Sequence, residues 1–215
     1  MPIRAVVFDF DGTLADTLPV VFAAFQKTFQ RYLGREVPKE EIVQHFGPTE
    51  EGVVRALITD GWRDAVAMYL TEYEANHHLC PGPFPGVVET LEELKASGVP
   101  MAVVTGKSGK SADISFRHIP VRRYFDSVTT GSHTRNAKCE GIQRAVAQWG
   151  LSPSEVAYVG DAPADVEQSK LAGVTPLSAL WGSTVFTREQ LLAAGPAAVL
   201  ERPRDVISWV GRSPR

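Results

Sequence analysis

The four residues Ala5-Val6-Val7-Phe8 are apolar without interruption, inside a longer stretch, Ile3 to Phe10, rich in β-branched and aromatic side chains. A strand with one face in water would alternate polar and apolar residues. This run does not, so it is expected to be buried on both faces, as strands are in a parallel sheet. It leads into Asp9-Phe10-Asp11-Gly12-Thr13, whose last three residues are a turn signal. Such a strand cannot exist alone, and the remaining chain has to supply its neighbours and the helices that cover them.

The next sixty residues do not do so. Val21, Phe22, Phe25, Phe29 and Leu33 recur at helical spacing and predict a helix over Leu18 to Tyr32, stopped by Gly34. Phe22, Phe25 and Phe29 read as core of a helical unit. Further helices are expected near Lys39 to Phe46, Glu50 to Leu57 and Ala65 to His78, and no strand between Thr17 and Leu79. Cys80 to Gly86 then holds three prolines and two glycines in seven residues, a stiff linker or hinge.

Beyond the linker the pattern alternates. Helices are expected at Val87 to Ser97, from about Gly109, at Glu140 to Trp149 and at Ala164 to Ala172. Strands are expected at Val99 to Val104, Asp126 to Thr130, Val156 to Val159, Thr175 to Leu180 and Ala197 to Leu200. Strand alternating with helix implies βαβ units. The chain therefore reads as an α/β protein. A Rossmann-like parallel sheet core with helices on both faces is formed by residues 1–16 and 86–215. An all-helical domain, residues 17–85 with the hinge, is inserted into it.

The 215 residues suffice for such a core plus insert. A net charge of -3 asks for neither nucleic acid nor an anionic membrane, and no apolar run is long enough to span a bilayer. The start, Met1-Pro2-Ile3-Arg4, does not read as a signal peptide. Cys80 and Cys139 are the only cysteines, so a disulfide framework is not expected and a cytoplasmic location is the simpler reading. Oligomeric state is not encoded in any feature of this kind.

In open α/β sheets ligands bind at the carboxyl ends of the strands. Here those ends carry Asp9 and Asp11, Thr105-Gly106-Lys107, and Gly160-Asp161 with Asp165 four residues on, while Lys138 lies just before a helix. Four carboxylates, a hydroxyl and two lysines thus share one edge. Carboxylates packed together repel unless a cation joins them. Hard oxygen ligands suit Mg²⁺, which also binds phosphate. A lysine would offset charge from another side, and Thr105 with nearby backbone N–H groups could hold phosphate oxygens. An aspartate can attack a phosphoryl group to give an aspartyl-phosphate. Asp9 and Asp11 would share a face on a regular strand, and Gly12 would permit the turn that brings Asp11 over the reacting centre. Each residue also has a structural reading: Asp11-Gly12 as a turn pair, Asp161 as a helix N-cap before Pro163, Asp165 as a first-turn acid, Lys138 as solvated surface.

Asp9-Phe10-Asp11-Gly12-Thr13-Leu14, Thr105, Lys138 and Gly160-Asp161-Ala162-Pro163-Ala164-Asp165 resemble, in order, the four motifs of the haloacid dehalogenase superfamily. The helical insert resembles its C1 cap. The whole pattern, with Pro85-Gly86 and Trp181-Gly182, is most similar to phosphoglycolate phosphatases and related small-phosphate phosphatases. The resemblance implies a Mg²⁺-dependent phosphatase acting on a small phosphorylated metabolite. Asp9 would be nucleophile and metal ligand. Asp11 would be general acid and base, ligating the metal through its carbonyl. Thr105 and Gly106 would bind phosphate, Lys138 would hold Asp9 and phosphate, Asp161 would complete the metal site and Asp165 would support it. Lys138 is followed by Cys139 where the group commonly has proline, which leaves Lys107, and more weakly Lys110, as competitors for its role. His45 to Gly52 resembles the cap loop that reaches the active site, with Thr49 and Glu50 as candidate specificity residues. Asp11 argues against a dehalogenase. The same core also serves sugar-phosphate mutases of the β-phosphoglucomutase type, and a non-catalytic module on the fold is a further alternative.

Overall fold

The structure, a computed structural model, describes residues 1–182 and 185–211. The expected core segment 86–215 thus includes residues 183, 184 and 212–215, which lie outside the described residues. Six strands form one sheet: β1 (Ala5–Phe8), β2 (Met101–Val104), β3 (Ser127–Thr129), β4 (Val156–Gly160), β5 (Thr175–Ala179) and β6 (Ala198–Leu200). Their spatial order is β3-β2-β1-β4-β5-β6, and every adjacent pair is parallel. This is the Rossmann-like α/β architecture, and the order reverses at β1, which opens a crevice at the strands' carboxyl ends.

The helices are α1 (Leu18–Leu33), α2 (Lys39–Val43), α3 (Glu50–Leu57), α4 (Trp62–Ala75), α5 (Val87–Ala96), α6 (Gly109–His118), α7 (Lys138–Trp149), α8 (Pro163–Ala172) and α9 (Arg188–Ala193). The uninterrupted apolarity of β1 has its reason in two cores. Val6 and Phe8 join Met101, Val103, Val159 and helix α5 on one face. Ala5 and Val7 join Ala102, Val104, Tyr158 and residues of α7 and α8 on the other.

Element ends differ from expectation where local chemistry intervenes. β1 is four residues long, because Ile3 leaves the ladder for a bridge to Val210. The helix expected over Ala65 to His78 runs three residues earlier. Its first residue, Trp62, lies under the guanidinium groups of Arg55 and Arg63, and at its end Asn76 donates to the Glu72 carbonyl at 2.7 Å. His77–Leu79 then tighten into a 3₁₀ turn. Helix α2 ends at Val43, ahead of Gly47-Pro48. Helix α9 and the 3₁₀ segment Pro203–Trp209 were not expected, being too short to show a period.

Helices α1 to α4 pack on each other through aromatic contacts. Phe25 lies 4.4 Å from Tyr69 and 5.4 Å from Phe29 between ring centroids. Each such buried ring contributes on the order of 2 kcal/mol. Two chain stretches join this bundle to the sheet, and they run side by side. Ala15 bridges Pro83, and the Phe84 N–H donates to the Leu14 carbonyl at 3.0 Å. Trp181 Nε1 donates to the Thr13 carbonyl at 2.9 Å, and the Phe84 ring occupies the space that a side chain at Gly182 would need. The proline-rich linker is thus docked. Among the described residues no helix is long and apolar enough to cross a membrane.

Candidate active site

Asp9 follows β1 immediately, outside the regular strand, yet its N–H still donates to the Val159 carbonyl of β4 at 2.9 Å. The sheet therefore fixes its backbone. Its Oδ1 accepts from the Phe10 N–H at 2.6 Å and its Oδ2 from Lys138 Nζ at 2.6 Å. Lys138 is the first residue of α7, and its ammonium also reaches Asp165 Oδ1 at 2.5 Å. Asp165 lies in the first turn of α8, where its Oδ2 accepts the Ala162 N–H at 3.1 Å, and the Tyr158 hydroxyl is 3.4 Å from its Oδ1. Capping and site-building thus coexist in one carboxylate. Asp161 Oδ1 accepts from Thr13 at 3.3 Å.

The turn geometry explains the glycines of both motifs. Gly12 has φ +70°, and a Cβ there would stand 2.1 Å from Asp161 Oδ2. A Cβ at Gly160 would stand 2.4 Å from Asp165 Oδ2. At Gly12 the two aspartate motifs approach so closely that only backbone fits between them, and at Gly160 the Asp165 side chain folds back over its own motif.

Asp9, Asp161 and Asp165 are buried, and a set of their carboxylate oxygens lies within 4.8 Å of one another. One ammonium does not neutralise the group. Burial, with Asp165 and Asp11 adding to it against Lys138, pushes Asp9 up to about 7. Burial, then Asp165 and Asp9, raises Asp161 well above the usual carboxylate range. Burial disfavours the charge of Lys138, but Asp165 and Asp9 outweigh it and hold its pKa up. A buried oxygen cluster that retains uncompensated negative charge fits a hard divalent cation such as Mg²⁺.

Asp11 is arranged differently. Its Oδ1 accepts from Lys107 Nζ at 2.8 Å and from the Thr17 hydroxyl. Lys107 is buried, with its ammonium 4.6 Å from the Tyr73 ring centroid, and Asp11, Tyr73 and Glu50 raise its pKa against the effect of burial. The two lysines therefore divide the carboxylates: Lys138 holds Asp9 and Asp165, and Lys107 holds Asp11. Cys139, where a proline was expected, donates its N–H to Gln168 Oε1 of α8 at 3.2 Å. Proline has no such donor, so the departure ties the start of α7 to α8.

A cavity of about 270 Å³ opens between the strand ends and α1 to α4. Asp9, Asp11, Asp161, Gly106, Lys107, Lys138 and Glu50 line it. Thr105 is buried beneath, its Oγ1 accepting the Lys107 N–H at 3.3 Å, and does not line the cavity. Thr49 does not line it either; its N–H donates to the Ser132 carbonyl at 2.9 Å. Glu50 accepts from the Ser108 N–H at 3.0 Å and from the Ser111 hydroxyl, both in the segment that follows β2. The loop expected to reach the site does reach it, and through Glu50 it is fastened to the sheet side. Phe25 belongs to the helical core and also lines the cavity. Thr13 was read only as part of its motif, without a role, and Thr17 and Tyr158 were absent from the sequence-based site, as isolated hydroxyls carry no signal of their own.

The haloacid dehalogenase-like hydrolase family model matches residues 6–179. A pyrophosphatase PpaX from Bacillus velezensis is 27% identical over 211 residues, covering 97% of each chain. A phosphoglycolate phosphatase from Synechococcus elongatus is 27% identical over 208 residues, covering 96% of this chain and 97% of its own. Among solved structures, a haloacid dehalogenase-like hydrolase from Streptococcus pneumoniae superposes with a TM-score of 0.78 at 27% identity, over 96% of this chain and 98% of that one. The match spans the strand ends that carry Asp9 and Asp161 and the start of α7 that carries Lys138, and this chain belongs to the haloacid dehalogenase-like hydrolase family.

Proposed function

We propose that the protein is a Mg²⁺-dependent phosphatase that hydrolyses a small phosphate monoester through an aspartyl-phosphate on Asp9. The observation that carries this reading is the buried trio Asp9, Asp161 and Asp165, with the Lys138 ammonium bound to Asp9 and Asp165, where Asp9, Asp161 and Lys138 line the cavity. Asp9, Asp161 and the Asp11 backbone carbonyl are the groups that would hold the cation, with Asp165 supporting them. Bound there, Mg²⁺ would offset the negative charge that the carboxylates and a phosphate dianion bring together.

The chain's own residues account for the proton and phosphoryl movements. A carboxylate oxygen of Asp9 bonds to phosphorus while the bond from phosphorus to the ester oxygen breaks. Asp11 delivers a proton to the departing alkoxide, then takes one from the water that attacks the aspartyl-phosphate, releasing inorganic phosphate and restoring Asp9. Thr17 and Lys107 position the Asp11 carboxyl. Lys138 keeps Asp9 aimed and stabilises charge on the transferring group. Gly106 offers its backbone to phosphate oxygens, and Thr105 shapes that turn from below. Residues 17–85 serve as a cap that shuts water out while Asp9 is phosphorylated. The free cysteines Cys80 and Cys139 accord with a reducing cytoplasm.

The test is release of inorganic phosphate from a panel of small esters and pyrophosphate, with Mg²⁺ and after chelation. Release is expected with Mg²⁺, and loss of at least about 100-fold on chelation, restored by added Mg²⁺. Metal-independent release would overturn the metal assignment. Phosphoryl exchange between sugar phosphates without free phosphate would place the chain with the mutases instead.

We also propose that Glu50 acts as a cap fastener. Glu50→Gln keeps the shape but weakens a charge-assisted pair of hydrogen bonds. KM is expected to rise about three- to ten-fold with a smaller change in kcat. Unchanged KM on the preferred ester would remove that role.

A further inference from the structure

The cavity is divided in its chemistry. At the strand ends it is charged. Towards the helices it is lined by Leu18, Val21, Phe25, Val43, Phe46 and Val53. Among the described residues that line it, the only cations are Lys107 and Lys138, and both are engaged by carboxylates at the sheet side. The helix side has two polar groups. One is Glu50, an anion whose oxygens already accept from Ser108 and Ser111. The other is Tyr69 on α4, fully buried, whose hydroxyl has no hydrogen-bond partner. That hydroxyl lies within electrostatic reach of Glu50, Tyr73 and Asp11, and burial raises its pKa well above the ordinary tyrosine value. It is therefore a neutral O–H with a proton to donate.

Resting on the phosphatase reading above, we infer that the leaving group of the substrate is uncharged and partly apolar, and that it carries an oxygen that accepts a hydrogen bond from Tyr69. A leaving group bearing a carboxylate or a second phosphate would enter an apolar compartment that holds Glu50 and no free cation. It would lose its hydration without gaining a counter-charge. A neutral hydroxyalkyl group would lie against the α1 and α3 side chains and satisfy the Tyr69 hydroxyl, the one buried donor without a partner among the described residues that line the cavity. Tyr69 is thus a specificity residue, and phosphoglycolate and pyrophosphate, the compounds in the relatives' names, are disfavoured.

The experiment compares kcat/KM, with Mg²⁺ present, for hydroxyethyl phosphate, propyl phosphate, phosphoglycolate and pyrophosphate. Hydroxyethyl phosphate is expected to exceed phosphoglycolate and pyrophosphate by about ten-fold or more. Tyr69→Phe, with circular dichroism confirming the fold, should lower the ratio of hydroxyethyl to propyl phosphate by about five-fold or more. Phe46→Lys places a cation at a partly exposed lining position and should raise phosphoglycolate relative to hydroxyethyl phosphate by about five-fold. Phosphoglycolate or pyrophosphate ranking at or above hydroxyethyl phosphate overturns the inference and leaves the phosphatase reading standing. So does an unchanged ratio in folded Tyr69→Phe. No hydrolysis of any of the four would end the phosphatase reading and this inference together.

Discussion

Asp9→Asn is expected to lower kcat by at least about 10³-fold while the protein stays folded. The amide keeps the shape of the carboxylate but cannot supply the anionic oxygen that bonds to phosphorus. The fold should tolerate the change, because the wild-type carboxylate is itself an electrostatic burden. Asp9 is raised from 3.8 to about 7 by burial and by its acidic neighbours. Between those two values the folded protein retains a proton that the unfolded chain has released, so stability falls as pH rises through that window. The full cost, a few kcal/mol by the about 1.4 kcal/mol per unit relation, is reached above pH 7 when no metal is bound. Asp9→Asn removes it. With chelator present, the variant's Tm at pH 8 should equal or exceed that of the wild type, and the difference should shrink by more than half at pH 5. Thermal unfolding at the two pH values, beside phosphate release, separates a lost nucleophile from a lost fold. Retained turnover would strike Asp9 from the nucleophile's role.

The parts of the site legible in the sequence were those whose chemistry is costly anywhere else. Asp9, Asp11, Asp161 and Asp165 at the ends of apolar strands had no simple structural purpose in combination, and the sheet gathers three of them within 4.8 Å. The parallel sheet was legible for the same reason, as uninterrupted apolar runs such as Ala5–Phe8 have few other uses. Tyr69 was not legible. It stacks on Tyr73 of the same helix and packs at a tilt against Phe25, which is what any core tyrosine would do. Only the three-dimensional position of its hydroxyl sets it apart. Thr49 and Glu50 are adjacent in sequence and both face the sheet side, but only Glu50 has the reach to enter the cavity. The partition of the lysines was half legible: Lys107 and Lys138 were competitors for one role, and the fold gives each its own aspartate. Spacing along a chain cannot assign such pairings, because they depend on how α7 and the turn after β2 approach the same strand end.

Lys138→Met should produce the largest combined loss. Methionine preserves most of the side chain's length and removes only the charge. Asp9, Asp161 and Asp165 then remain buried together with no ammonium between them. Removing one partner of a buried ion pair costs about 3–5 kcal/mol, because the remaining charge is left uncompensated. A solvated lysine would cost no more than about 0.5 kcal/mol, so urea unfolding at pH 8 with chelator distinguishes the two readings directly. The loss should shrink at pH 5, where Asp9 and Asp161, both raised by burial, can take up protons, and should also shrink when Mg²⁺ is added, since a cation that binds only the folded form stabilises it. The cost of Lys138→Met combined with Asp9→Asn should depart from the sum of the two single changes by at least about 1 kcal/mol, the signature of a direct pair. Turnover should fall by about 10²-fold or more even where Mg²⁺ restores stability, because the Lys138 ammonium that would stabilise charge on the transferring group is still missing. Lys138→Arg should not restore it, as a planar guanidinium cannot place one point charge 2.6 Å from Asp9 and 2.5 Å from Asp165 at once. A Lys138→Met protein as stable as wild type at pH 8 without metal would mean that the lysine is not the charge on which this cluster depends.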